Sequence, residues 1–226
     1  DYIYEYGADP SEFGNSNAVA LNRVTVPAND IVSLSDYRTR YALYRSDAAL
    51  QALHATMPWI TVWDDHEFAN DAYGGGAENH NSATQGDWVT RRTFAAKAYH
   101  EWMPIRTPDP LNLLKIYRRF DFGKLLSLHM LDTRVIGRDK QVEFAELLNP
   151  ATAATAQATL ASTSRTIMGS TQLQWLQGQL AASKATWQVL GQQVLMARME
   201  FPVSILQHLN PANTSPAALA AGQKAI

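Results

Sequence analysis

Four consecutive ionisable residues, Asp64-Asp65-His66-Glu67, follow directly on the apolar run Trp59-Ile60-Thr61-Val62-Trp63. Two acids, an imidazole and a third acid in a row repel one another unless a cation or a strong donor network neutralises them, so the pattern points to a metal site. The plainer alternative is that one of Asp64 and Asp65 caps a helix and His66 lies on the surface. A second set of hard donors stands at the start of the sequence, in Asp1-Tyr2-Ile3-Tyr4-Glu5-Tyr6-Gly7. In an extended or turning backbone Asp1 and Tyr4 can converge on one ion, the carboxylate bridging two metals and the phenolate binding the harder one. A third cluster, Asp132-Thr133-Arg134, again follows an apolar run and ends on a guanidinium suited to clamp two phosphate oxygens. An Asp–Arg pair that closes a turn is an equally good account of it.

The elements that must position these groups can be read from periodicity. β-Branched and aromatic residues entered through Pro58 predict a short interior strand from Trp59 to Trp63, whose carboxyl end is where ligands bind in parallel or mixed sheets. Ser35 and Asp36 start a helical apolar series, Tyr37, Tyr41, Tyr44, Leu50, Leu53 and His54, that runs to about Thr56 as a crossover. On it Arg38, Arg40 and Arg45 form a solvated or ion-paired face, and His54 packs in the core. Asp87 begins a helix from Trp88 to about Met103, which Pro104 stops. Lys115 to Phe122 and Leu125 to Leu131 are strand-like and joined by Gly123-Lys124, a hairpin signal. Ser170 caps a helix containing Leu173, Leu176 and Leu180, and Trp187 to Met196 forms a further buried strand. The alternation of helix and strand argues for an α/β architecture.

Between these elements lie a polar loop from Gly7 to Asn29, expected to stand as a flap beside the metal centre, and Gly74-Gly75-Gly76, expected to be a mobile loop of the site. Residues 145–164 read as an inserted helix or irregular excursion, and no periodicity holds beyond Pro202. His80 carries no assignment.

With 226 residues, 46% of them hydrophobic and 18% charged, the chain has the composition of one sizeable globular core. Nineteen Lys and Arg stand against 21 acids, net −2, so no basic field recruits nucleic acid or an anionic membrane. There are no cysteines, which removes thiolate ligands and disulfides. No secretion signal or apolar span of membrane length is visible, and oligomeric state leaves no mark.

The blocks taken together resemble the PhoD-type alkaline phosphatase/phosphodiesterase family, a branch of the calcineurin-like metallophosphoesterases. The matching residues are Asp1 to Gly7, Tyr37 to Asp47, Trp63 to Glu67 with Asn70, Leu131 to Arg134, and the Gln172…Trp175-Leu176 and Trp187…Gln192-Gln193-Val194 segment, all in family order. The resemblance implies a two-sheet α/β sandwich of mixed sheets flanked by helices, and metal-dependent hydrolysis of phosphate monoesters or diesters. It implies Fe3+ and Ca2+ as metals, a small phosphate ester as substrate, and a periplasmic or secreted location. Asp1 would bridge the two ions, Tyr4 would bind iron and Asp65 the second metal. His66 would contact the substrate or protonate the leaving oxygen, Asp64, Glu67 and Asn70 would orient these groups, and Arg134 would face the phosphate. The family's earlier Asp and Cys ligands and its late Asp and His ligands have no counterpart here. Residues 1–226 are therefore expected to be the central part of a single catalytic domain, inactive by itself. The alternatives are a calcium-binding, non-catalytic module and a metallo-nuclease.

Overall fold

The structure, a computed structural model, describes residues 1–9, 17–103 and 105–196. These contain seven helices, three strands and two compact units, Asp1–Lys140 with Thr166–Gln193, and Gln141–Arg165 with residues 194–196. The architecture is mixed α/β.

The scaffold of the first unit is a helix pair. α1 (Leu34–Arg45) opens with a capping box, in which the Asp36 N–H donates to Ser33 Oγ and the Asp36 carboxylate accepts from Ser33 N–H. The single helix expected to reach Thr56 is instead two. The first ends at Ser46, and Asp47 accepts the Leu50 N–H at 2.9 Å to start α2 (Ala48–Thr56), because an Asp side chain competes for backbone donors and so favours a cap over a helix interior. A four-residue helix, α3 (Ser82–Gln85), precedes α4 (Trp88–Trp102), where Asp87 caps as expected. Pro104 lies outside the described residues. Trp88, Ala95, Ala98 and Tyr99 of α4 meet Tyr37 and Tyr41 of α1 in one core with Ile3, Ile31, Trp63, Phe68 and Ile116.

Two arginines stand inside this unit, the first of them against expectation. Arg40 is 1% exposed rather than solvated, and donates to the carbonyls of Tyr4, Val26 and Pro27. It thereby ties the opening segment and the 17–29 loop to α1. Gly7 belongs to the same seam, since a Cβ there would meet the Ala28 carbonyl at 2.7 Å. The flap expected between Gly7 and Asn29 is thus pinned at both ends, while residues 10–16 lie outside the described part. Arg91 of α4, also 1% exposed, reaches Tyr37 Oη, the Ile31 carbonyl and the Asn79 carbonyl, and Tyr37 Oη donates on to the Phe68 carbonyl. His54 is no core residue either. It stacks on Trp59 at 4.0 Å on a half-exposed aromatic surface, because α2 buries none of its residues.

The hairpin forms as read, β1 (Arg118–Phe122) antiparallel to β2 (Leu126–Met130), turning at Gly123 with φ +58°. α5 (Phe144–Leu148) and α6 (Ala153–Leu160) make up the excursion of the second unit. α7 (Gly169–Ala182) starts two residues earlier than expected, with Met168 and not Ser170 at its cap. β3 (Trp187–Gly191) adds parallel to β2, completing a three-stranded sheet in the order β1-β2-β3. It is shorter than expected and exposed, as it lies at an edge with β2 as its one neighbour among the described residues. Residues 59–63 are extended but pair with no strand among the described residues. Side chains take the place of a ladder there, Arg118 Nη2 donating to the Thr61 carbonyl at 2.5 Å and Gln193 Nε2 to the Trp63 carbonyl at 2.8 Å.

Candidate functional site

The acid cluster begins where that extended stretch ends. Residues 65–69 turn on the Asp65 carbonyl, which accepts from Phe68 N and Ala69 N, both at 2.8 Å. Asp71 is held at φ +51°, a left-handed conformation that Asp tolerates, and this aims its N–H at Asp65 Oδ2, 2.6 Å away. The turn is anchored below by the Tyr37 bond to the Phe68 carbonyl, so α1 and α4 together fix its height over the core.

Glu67, buried and 1% exposed, joins this turn to the opening segment. Its carboxylate accepts Asp64 N–H at 2.6 Å, Ile3 N–H at 3.1 Å and Tyr2 N–H. In the opening segment Ile3, Glu5 and Gly7 are buried while Tyr2, Tyr4 and Tyr6 are half-buried, a period-two alternation that turns Glu5 inward. Glu5 Oε2 pairs with His66 Nδ1 at 2.6 Å, and its Oε1 accepts from Asn70 N–H at 2.6 Å and Asn79 Nδ2 at 3.0 Å. Burial alone would raise the Glu5 carboxyl and lower the His66 imidazole. The pair reverses both, so Glu5 sits below its ordinary value and His66, helped by Asp65 and Glu67, above it.

These constraints bring together residues far apart in sequence. One ligand atom each from Asp1, Asp65 and His66 lie within 4.8 Å of one another. Tyr4 Oη donates to Asp1 Oδ2 at 3.2 Å, and its ring lies against the His66 ring, centroids 4.3 Å apart. Burial, then the neighbouring Tyr44 and the acids Glu67, Asp65 and Asp64, raise the Tyr4 phenol. It therefore stays protonated unless a strongly polarising ion draws the proton off. Two carboxylates, a phenol and an imidazole in this proximity suit a hard cation, and the residues fit the metal that the sequence reading implied.

Arg134 is brought to the acids rather than to an open pocket. Its Nε meets Asp64 Oδ1 at 2.6 Å, its Nη2 Asp65 Oδ1 at 3.3 Å and its Nη1 Asp71 Oδ1 at 3.3 Å. It serves these carboxylates as a counter-charge. Asn70 acts through its backbone on Glu5, while its side chain turns out to Glu78 at 3.1 Å. The glycine loop is pinned and not free, for Gly74 N–H donates to the Arg138 carbonyl at 2.9 Å and Arg92 Nη1 to the Gly74 carbonyl at 2.8 Å. Sequence reasoning missed Glu5, Asp71 and Asn79. The alternation from Tyr2 to Gly7 was the signal for the first, and nothing in spacing marks the other two.

Asp132, fully buried behind the cluster, accepts Arg134 N–H at 2.8 Å and Val135 N–H at 2.9 Å through Oδ1. Burial outweighs these bonds and pushes its pKa up to about 6 from the ordinary 3.8. A raised carboxyl binds its proton more tightly when folded, so its contribution is present at low pH and lost as pH rises through about 6, a loss of about 3 kcal/mol. Asp132→Asn is expected to flatten the stability profile between pH 4 and 7, measured by urea unfolding at each pH. An unchanged slope would show that Asp132 ionises without cost.

The family profile named PhoD-like phosphatase matches residues 1–221. The chain is 39% identical over 206 residues to alkaline phosphatase D of Bacillus subtilis (strain 168), covering 90% of this chain and 33% of that protein. A solved structure described as that of PhoD superposes with a TM-score of 0.68 at 36% identity, over 89% of this chain and 36% of the other. The chain thus spans about a third of the length of these relatives.

Proposed function

The chain belongs to the PhoD-like phosphatase family, and from that premise we propose that it supplies part of one catalytic domain that hydrolyses phosphate monoesters or diesters with metal ions, as an alkaline phosphatase of the D type. The observation that carries this reading is the convergence of Asp1, Asp65 and His66 within 4.8 Å beside the Tyr4–Asp1 bond. In it Asp1 would be shared by two ions, Tyr4 would hold ferric iron and Asp65 would hold calcium, metals that suit hard carboxylate and phenolate donors. When bound, such ions neutralise charge on the phosphoryl oxygens and supply a nucleophile near neutral pH.

The chain's own residues do the rest. His66, oriented by Glu5 and with its pKa raised by that pairing, gives its proton to the leaving oxygen. Glu67 and Asn70 tie the two segments of the site together, the first by bonding Tyr2, Ile3 and Asp64, the second by fixing Glu5. Arg134 holds Asp64 and Asp65 in the orientation that an ion requires. We assign small phosphate esters as substrates and a periplasmic or extracellular location by the same family reading. No helix among the described residues is long and apolar enough to cross a membrane.

Chelation tests the proposal. With its natural flanking sequence, the protein is expected to release phosphate from an aryl phosphate, to lose that activity to exhaustive chelation and to regain it with calcium, together with iron if that ion has also been stripped. Turnover that survives complete removal of metal would overturn it.

A further inference from the structure

We propose that Arg138, and not Arg134, is the guanidinium that grips the phosphoryl group in this site. The proposal rests on the phosphoesterase reading above and adds to it the residue that recognises the anion.

Arg134 is drawn to the acids. Each of its three side-chain nitrogens already meets a carboxylate, of Asp64, Asp65 and Asp71 in turn. A phosphate oxygen would have to compete with these carboxylates for it. Arg138, one turn further along the chain, is in the opposite condition. Its Nε and Nη1 are both shut off from solvent and have no hydrogen-bond partner. It lies within electrostatic range of Asp64, Asp65, Asp71 and Arg134, yet none of the three acids accepts a bond from those two nitrogens. Leaving charged donors buried and unbonded is costly, and native proteins seldom retain such groups without a use for them.

Backbone bonds fix the residue that carries this guanidinium. The Gly74 N–H bond to the Arg138 carbonyl fixes the residue to the turn that follows the cluster, and Arg92 fixes that turn from α4. Burial, followed by repulsion from Arg134, pulls Arg138 below the ordinary arginine value, which marks an under-compensated positive charge. An arriving oxyanion supplies both the missing charge and the missing acceptors. Phosphate suits the vacancy because its oxygens can reach a guanidinium while others face a cation.

The test is titration of inorganic phosphate into the metal-loaded protein in its natural sequence context, with metal content measured for every variant. Arg138→Ala is expected to raise the Kd for phosphate tenfold or more, with metal content unchanged and KM for an aryl phosphate rising more than kcat falls. Arg138→Lys keeps the charge and should recover part of the affinity. It also keeps the question open to measurement if the alanine variant does not fold. Phosphate affinity within twofold of the unaltered protein in Arg138→Ala, or a loss wholly explained by lost metal, would overturn the proposal and leave Arg138 as a residue bonded by water. So would failure of the unaltered, metal-loaded protein to bind phosphate. Arg138-dependent phosphate binding without any ester hydrolysis would instead sustain the anion site and overturn the enzymatic reading.

Discussion

Replacing His66 with alanine is expected to slow aryl phosphate turnover on the order of 10²–10⁴-fold while metal content stays close to that of the unaltered protein. The expectation comes from how the ring is held. Glu5 takes Nδ1 at 2.6 Å, the Tyr4 ring packs against one side, and Nε2 is left as the nitrogen that can face a substrate oxygen. Asp65→Asn is the matched control. It keeps an oxygen but loses a charge, so metal affinity should fall and excess metal should restore part of the rate. The comparison has force because the two residues belong to one group of donor atoms within 4.8 Å. If His66→Ala strips the metal and Asp65→Asn does not, the two roles are exchanged. If neither variant alters rate or metal content, residues 64–67 are only the capped end of an extended segment.

Glu67→Ala is expected to destabilise the protein by about 3–5 kcal/mol, a large part of the roughly 5–15 kcal/mol that holds a domain together. The carboxylate is buried and accepts three backbone donors, from Tyr2, Ile3 and Asp64, and alanine leaves all three without an acceptor. Glu67→Gln should fall between, since one oxygen remains while an amide N–H₂ turns toward a backbone N–H. Urea unfolding of both variants measures the effect. A cost below about 1 kcal/mol for the alanine variant would mean that the opening segment is held by its aromatic side chains and not by this carboxylate.

What could be read from the sequence was local. The Asp87 cap, the helix behind it and the hairpin at Gly123 each depend on a few adjacent residues, and each formed as expected. The acids at 64–67 announced themselves because charge so rarely follows an apolar run without a partner. The misreadings share one cause. Arg40 looks like a solvated helix residue until the carbonyls of Tyr4, Val26 and Pro27 are brought to it by other parts of the chain. Residues 59–63 have the composition of a strand, but a strand also needs a neighbour, and Arg118 and Gln193 supply side-chain donors in its place. For Arg134 the phosphate clamp and the acid partner stay equally open in the sequence, because spacing shows a guanidinium without showing the three acids that surround it.

The bond from Gln193 Nε2 to the Trp63 carbonyl closes a span of 130 residues, and the Glu67 bonds to Tyr2 and Ile3 close spans of 65 and 64. Contacts of such separation form late, after the loops between them have lost their freedom, while a hairpin or a capped helix forms early. Asp1 and Asp65 are therefore expected to stay two unrelated acids until the opening segment has docked on Glu67. An ion that needs both would then be held only after that long-range closure.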